Sequence, residues 1–280
     1  MFLVTQKQTM KRILHQISFY TKVIRFKFIK ALQWRTEMVL WILLDIFPFI
    51  ILLFIWQSIF AFSLVQNTSL SELTIFYFMV IVVQGLTSTH FEEYRPEEIR
   101  LGKIDFFLIK PYNYLQEIIL NDLAGKLLYI IAFAPIVTLL GFALWRLELS
   151  TLPNLTGVHL FVLLCLLLLA YLMQLCFSIL ITLSAFWFDE ASGLTHFKWL
   201  FISLFSGTLI PVALMPEWLQ AVTNFFPLKF LFAVPIKLLQ EQVLPTQGDW
   251  GLLLCTIIAL LFGIFFVWKR GVQKYCSAGG

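Results

Sequence analysis

Glu92 and Glu93 stand side by side at the end of an apolar run, a pairing that can serve acid–base chemistry within a membrane. The intramembrane protease signature that begins this way needs an arginine four positions after the second Glu, and here that position is Glu97. His15, His90, His159 and His196 are scattered, with no His-Glu-x-x-His pair, and no serine sits in a nucleophile elbow. Gly102-Lys103 is followed by Ile104 and lacks the upstream glycine of a phosphate-binding loop, so the chain is not expected to hydrolyse ATP by itself. Cys165, Cys176, Cys255 and Cys276 have neither metal-ligand spacing nor the look of an exported disulfide pair and read as packing residues. With no assembled acid, base, nucleophile or metal set, the chain reads as a non-enzyme.

Polar groups inside apolar runs are the next candidates. Asp45 is an ionisable group early in the first run, functional by default because burying it unpaired is expensive, or structural if it meets water or a basic neighbour near the inner interface. Gln84 joins it as a possible intramembrane polar site. Ser88 and Thr89, with Gln174, Ser178, Thr182 and Ser184, suit hydrogen bonds between helices or the lining of a path, and packing is the expected role for most. Asp189-Glu190 reads as a solvated turn.

The elements that must hold these residues follow from composition. With 60% hydrophobic and 13% charged residues, thirty Phe, nine Trp and a mean hydropathy of +0.88, the chain is a polytopic membrane protein. A span needs about 20 apolar residues. Six stretches are expected to cross: Val39 to Ser63, Leu73 to His90, Leu120 to Trp145, His159 to Trp187, Leu194 to Leu214 and Trp250 to Trp268. The fold class is all-α, with a cytoplasmic arm over 1–38 and a single membrane domain over 39–280. Of the 20 Lys and Arg, all but Arg146, Lys229 and Lys237 fall on one side of this arrangement. The positive-inside bias then puts both termini in the cytoplasm and the chain in the cell membrane, with the first span as insertion signal.

The arm places Ile17, Tyr20, Ile24, Phe28 and Leu32 at intervals of three and four among Lys22, Arg25, Lys27 and Lys30, the pattern of an amphipathic interfacial helix held by apolar burial and anionic lipid. In the stretch 91–117, Pro96 with Glu97 and Glu98 starts a short helix. Phe106 and Phe107 follow in a polar loop, either as a docking surface for a soluble partner or as anchors at the lipid interface. Over 211–249, Pro211, Pro216, Pro227 and Pro235 break an apolar stretch at short intervals, so an unbroken lipid-exposed helix is excluded there and short helices that dip into the outer face and turn back are expected.

Three segments together carry a resemblance. Arg100-Leu-Gly-Lys-Ile-Asp-Phe-Phe-Leu-Ile-Lys-Pro111, then Ser206-Gly-x-x-x-Pro211 with Pro216-x-Trp218 and Pro227, then Lys274-Tyr-Cys-Ser-Ala-Gly-Gly280, resemble the permease subunits of type-2 ABC exporters, in the six-span bacterial subgroup. The resemblance implies a second permease copy or sibling, two separate ABC ATP-binding subunits that bind ATP and magnesium, no cofactor in this chain, and a hydrophobic or amphipathic cargo, with no nucleic acid partner. It implies a coupling helix between spans two and three, seated on the ATPase through Tyr94, Arg95, Glu98, Arg100, Lys103, Asp105, Phe106, Phe107 and Lys110. It implies a re-entrant outer gate at Gly207, Pro211, Pro216, Trp218, Phe226 and Pro227. Lys229 departs from the aromatic or small residue expected after Pro227-Leu228, and snorkelling to the outer interface would accommodate it. Other functions open to such a chain are a secondary transporter working alone, which calls for repeat symmetry and midplane acids, and a membrane scaffold that recruits a cytoplasmic partner.

Overall fold

The computed structural model describes residues 18–61, 69–109, 112–146 and 155–275. All of the regular structure among them is helical. Helix α1 covers 18–31 and passes through a 3₁₀ turn, Leu32–Trp34, into α2, Arg35–Ala61. There follow α3 (Leu70–Thr87), α4 (Arg95–Arg100), α5 (Asp105–Leu108), α6 (Tyr114–Arg146), α7 (Gly157–Ser184), α8 (Ser192–Phe205), α9 (Glu217–Phe225), α10 (Ala233–Glu241) and α11 (Gln247–Lys274).

Among the described residues, five helices are long and apolar enough to cross a membrane: Ser18–Ala61 taken as one, α3, α6, α7 and α11. Capping boxes start two of them, Ser69 with Glu72 for α3 and Thr246 with Asp249 for α11, each satisfying backbone donors that a helix end leaves open. The expected span Leu194 to Leu214 is helical only over α8, whose 14 residues rise about 21 Å, short of a hydrocarbon core of about 30 Å. The reason lies at its end. The Ser206 N–H closes on the Ile202 carbonyl, Gly207 takes a left-handed φ of 84°, and the Ser206 carbonyl accepts from the Ala233 N–H at 3.1 Å instead of continuing the helix. A Cβ at Gly207 would stand 3.0 Å from Val212 Cγ2, so the turn is also tightly packed.

α7 lies at the centre, against α3, α11, α10 and the 3₁₀ turn Pro227–Leu231. Leu166, Ala170 and Met173 recur on its buried face at helical spacing and meet Tyr77 and Val80 of α3, Phe133 of α6, and Phe230, Leu231 and Ile236 of the outer segment in one core. α3 and α6 approach so closely at Gly85 that an added Cβ would lie 2.3 Å from the Phe133 ring. A second core, around the segment between α3 and α6, joins Phe91, Ile99, Ile104, Tyr114 and Ile118 to Ile179 and Leu183 of α7 and Ile264 of α11.

The arm's regular apolar face packs in part on the rest of the chain: Tyr20, Ile24 and Phe28 are half-buried, Lys27 pairs with Glu117 of α6, and Gln116 donates to the Tyr20 hydroxyl at 3.2 Å. Leu32 of the same face is exposed, as are Phe19, Phe26 and Ile29. Of the cysteines read as packing residues, Cys176 is buried and Cys165 half-buried, whereas Cys255 is exposed; Cys276 and Ile17 lie outside the described residues.

Candidate functional site

The loop between α3 and α6, called the inner loop after the side on which the sequence is expected to place it, is built from two short helices and one stop. α4 starts on Pro96 with Glu97 and Glu98 in its first turn, as its sequence predicts. It ends in a Schellman arrangement: the Lys103 N–H bonds the Glu98 carbonyl at 3.0 Å, the Gly102 N–H bonds Ile99 at 3.2 Å, and Gly102 takes φ 73°. The Gly-Lys dipeptide is thus a helix stop. Ile104 is fully buried, and α5 follows.

This fold divides the residues assigned to coupling. Tyr94, Arg100, Lys103 and Phe106 face outward, Phe106 at 64% exposure, and Ile109 joins them at 83%. Arg95 is buried and pairs with Glu98 at 2.6 Å, and the Tyr114 hydroxyl approaches Glu98 at 3.5 Å. Phe107 turns in against Tyr114, which in turn stacks on Trp268 of α11 with ring centres 6.2 Å apart. Asp105 is half-buried, and Lys110 lies outside the described residues. Beside the loop, burial and the Glu117 carboxylate it donates to at 2.9 Å raise the Tyr112 phenol above its ordinary value, so Tyr112 holds its proton there.

Behind the loop lies a polar network that sequence reasoning did not find. Lys198 of α8, 6% exposed, forms an ion pair with Glu92, 1% exposed, and donates to Ser178 Oγ at 2.8 Å and to the Thr89 carbonyl at 3.3 Å. Thr89 and Ser178 share a hydrogen bond of 2.6 Å, and Gln174 donates to Thr87 at 3.2 Å. Lys198 is therefore the buried joint of α3, α7, α8 and the loop. Gln174 and Ser178 bridge helices as expected, and Asp189-Glu190 is an exposed turn. The signal that was available is the face Thr195, Lys198 and Ile202, all buried, where a cation demands a partner.

A cavity of about 1090 Å³ opens between α1 and α2, the inner loop and α6, and Asp45 is on its wall. Tyr129 donates to Asp45 at 2.7 Å, and Tyr171 donates to Asp122 at 2.6 Å. Lys126 turns away to the carbonyls of Ser88 and, at 3.4 Å, Gly85, at the end of α3. Gln84 is not on this wall, so the structure does not bring it together with Asp45. Among the described residues no group of His, Cys, Asp and Glu is placed to hold a metal.

At the opposite end, the four prolines begin elements. Pro211 precedes the 3₁₀ turn Val212–Leu214, Pro216 precedes α9, Pro227 opens the turn Pro227–Leu231, and Pro235 sits in the first turn of α10. Trp218 is exposed, while Phe226 packs on Phe201 and Phe205 of α8. Lys229 pairs with Asp249, the capping-box residue of α11, at 2.7 Å, which accounts for a cation at this position. The Tyr77 hydroxyl of α3 accepts from Trp56 of α2 at 2.5 Å and donates to the Leu209 carbonyl at 3.0 Å.

Membrane-length helices, an inner loop rooted in their core and a packed outer segment of short helices together define a multi-pass membrane protein. The chain belongs to the ABC-2 family transporter proteins, whose family model matches residues 42–279. It is thus a type-2 ABC permease, a membrane-spanning transport component and not itself the catalytic part, and membership implies association with ABC ATP-binding subunits in general. No curated protein and no solved structure matches the chain.

Proposed function

We propose that the chain is the permease half of an ATP-driven exporter in the bacterial cell membrane, paired with a second permease and coupled to separate ATP-binding subunits that hold ATP and magnesium. α8, continued by the chain to Pro211, then serves as a shorter sixth crossing, and both termini are cytoplasmic. The outer segment from Gly207 to Pro227 closes the exit for a hydrophobic or amphipathic cargo.

The observation that carries this reading is the two-faced inner loop. Tyr94, Phe106 and Ile109 are exposed apolar side chains on a loop that also exposes Arg100 and Lys103, a mix that suits a groove on a soluble partner, with Tyr94, Lys103 and Phe106 also at the cavity wall. The same loop is fastened inward through Ile99, Ile104 and Phe107 to α6, α7 and α11, and through Glu92 to Lys198. A push on the outward face therefore moves rigid helices without bending the loop.

Phe106→Glu together with Ile109→Glu should abolish co-purification with the ABC ATP-binding subunit that partners this chain and stop transport-linked ATP hydrolysis. Membrane insertion and the yield of folded protein should stay normal, since both side chains lie outside the cores. Undiminished association of the double variant would refute the docking assignment.

A further inference from the structure

We infer that the inner cavity is a binding site for an amphiphile with a cationic, ammonium-like head, and that the head sits against Asp45 and Asp122. As a statement about cargo this rests on the transport reading above; as a statement about binding it stands alone.

The argument is a charge balance on the cavity wall. Lys27 with Glu117 and Arg95 with Glu98 are closed pairs. Lys126 directs its ammonium to the carbonyls of Gly85 and Ser88, the negative end of the α3 dipole. Asp45 and Asp122 each accept one tyrosine hydroxyl, and neither has a cation within ion-pair distance among the described residues. A carboxylate offers about four acceptor positions, so one phenol leaves most of them directed at whatever fills the space. Lys30 and Lys103 also line the wall, as do Glu37 and Glu93, all four exposed, so the whole lining carries five Lys and Arg against six Asp and Glu. The excess of acid, with Asp45 and Asp122 half-buried in it, favours a cation over an anionic head.

The rest of the wall suits the same class. Trp41 and Asp45 are one turn apart on α2; Asp122, Lys126 and Tyr129 follow at helical spacing on α6. The Tyr129 ring already faces the Lys126 ammonium at 5.3 Å, which leaves the Trp41 indole as the aromatic face beside a carboxylate, the setting in which alkylammonium ions are held. Leu44 and Phe47, next to Asp45 in sequence, are exposed on the outer face of α2 and give an apolar tail a surface to follow. The volume is that of a site for a molecule of drug or lipid-head size. Gly125 is on the same wall, and a Cβ built there meets nothing within 4 Å, so a large side chain at this position would project into open space without disturbing packing.

The test uses the purified full chain in neutral maltoside micelles and equilibrium binding of labelled tetraphenylphosphonium, with tetraphenylborate as the anion of the same shape. The cation should bind saturably and the anion should not. Asp45→Asn and Asp122→Asn should each weaken cation binding about tenfold, the loss of one charge-assisted contact. Gly125→Trp should abolish it, and Gly125→Ala should bind normally. Equal binding of the borate, or full binding to Gly125→Trp, overturns the inference. Added phosphatidylethanolamine that displaces the probe, where phosphatidylglycerol does not, assigns the site to a lipid headgroup; failure to displace assigns it to a free organic cation, and both results support an ammonium site. No ATP-binding subunit is present in this measurement, so its failure leaves the docking loop standing, and failure of the docking test leaves this site standing.

Discussion

Lys198 and Glu92 lie 106 positions apart and meet at a point almost closed to solvent. Removing one partner strands a charge where water cannot reach it, a loss of about 3–5 kcal/mol for pairs of this kind. Lys198→Met and Glu92→Gln should each lower the thermal unfolding temperature in micelles by several degrees, and the double variant should recover most of the loss. Single variants as stable as the parent would mean that the pair contributes nothing. Nothing adjacent in the chain announces this contact. Lys198 sits beside an apolar run and reads as a span-end charge; Glu92 reads as half of an acidic pair. Only the fold, which turns the Thr195, Lys198 and Ile202 face of α8 onto the end of α3, makes them one unit.

At the scale of elements, the packing of α3 on α6 depends on a missing side chain. Gly85→Val would drive a methyl into the Phe133 ring, which lies 2.3 Å from the position of a Cβ. Overpacking of a close-packed core costs typically about 1–3 kcal/mol. The variant should express poorly and unfold early, and Phe133→Ala in the same chain should restore part of the loss; an unaffected Gly85→Val would show that the two helices can separate freely. Helix starts were legible where their chemistry is local: Pro96 with two acids, and the four outer prolines, each begin an element. Span limits came within a few residues for α2, α3 and α7; α6 was missed by six residues at its start, where Glu117 interrupts the apolar run, and α11 by six at its end, where Lys269, Arg270 and Lys274 continue the helix. Isolated prolines proved compatible with long helices, as Pro48 in α2 and Pro135 in α6 show. The end of α8 was not legible, because Ser206-Gly207 stops the helix through a bond to Ala233, 27 positions on in the chain.

For the whole molecule, the count of crossings decides the sidedness of everything else. With α8 as a sixth crossing, single cysteines at Lys22, Lys103 and Lys269, placed in a chain cleared of its four native cysteines, should react with an impermeant maleimide only after the inner face is opened. A cysteine at the exposed Trp218 should react in intact cells. Reaction of Lys22 and Lys269 from opposite sides would leave five crossings and end the six-span reading. The family and the all-helical class were open to sequence because composition and motif order fix them; the division of the inner loop into an outward and an inward face was not, since both faces draw on the same residue types.

One atom described above links the two halves of this arrangement. The Tyr77 oxygen ties α2, through Trp56, to the backbone at Leu209, where the outer segment begins. Each such bond is worth only about 0.5–1.5 kcal/mol net. If that segment is the exit, this oxygen is a light clasp at the edge of an element whose Phe230, Leu231 and Ile236 are set in the core: thermal agitation alone loosens the clasp, and the work of the ATPase would go into moving the helices packed behind it.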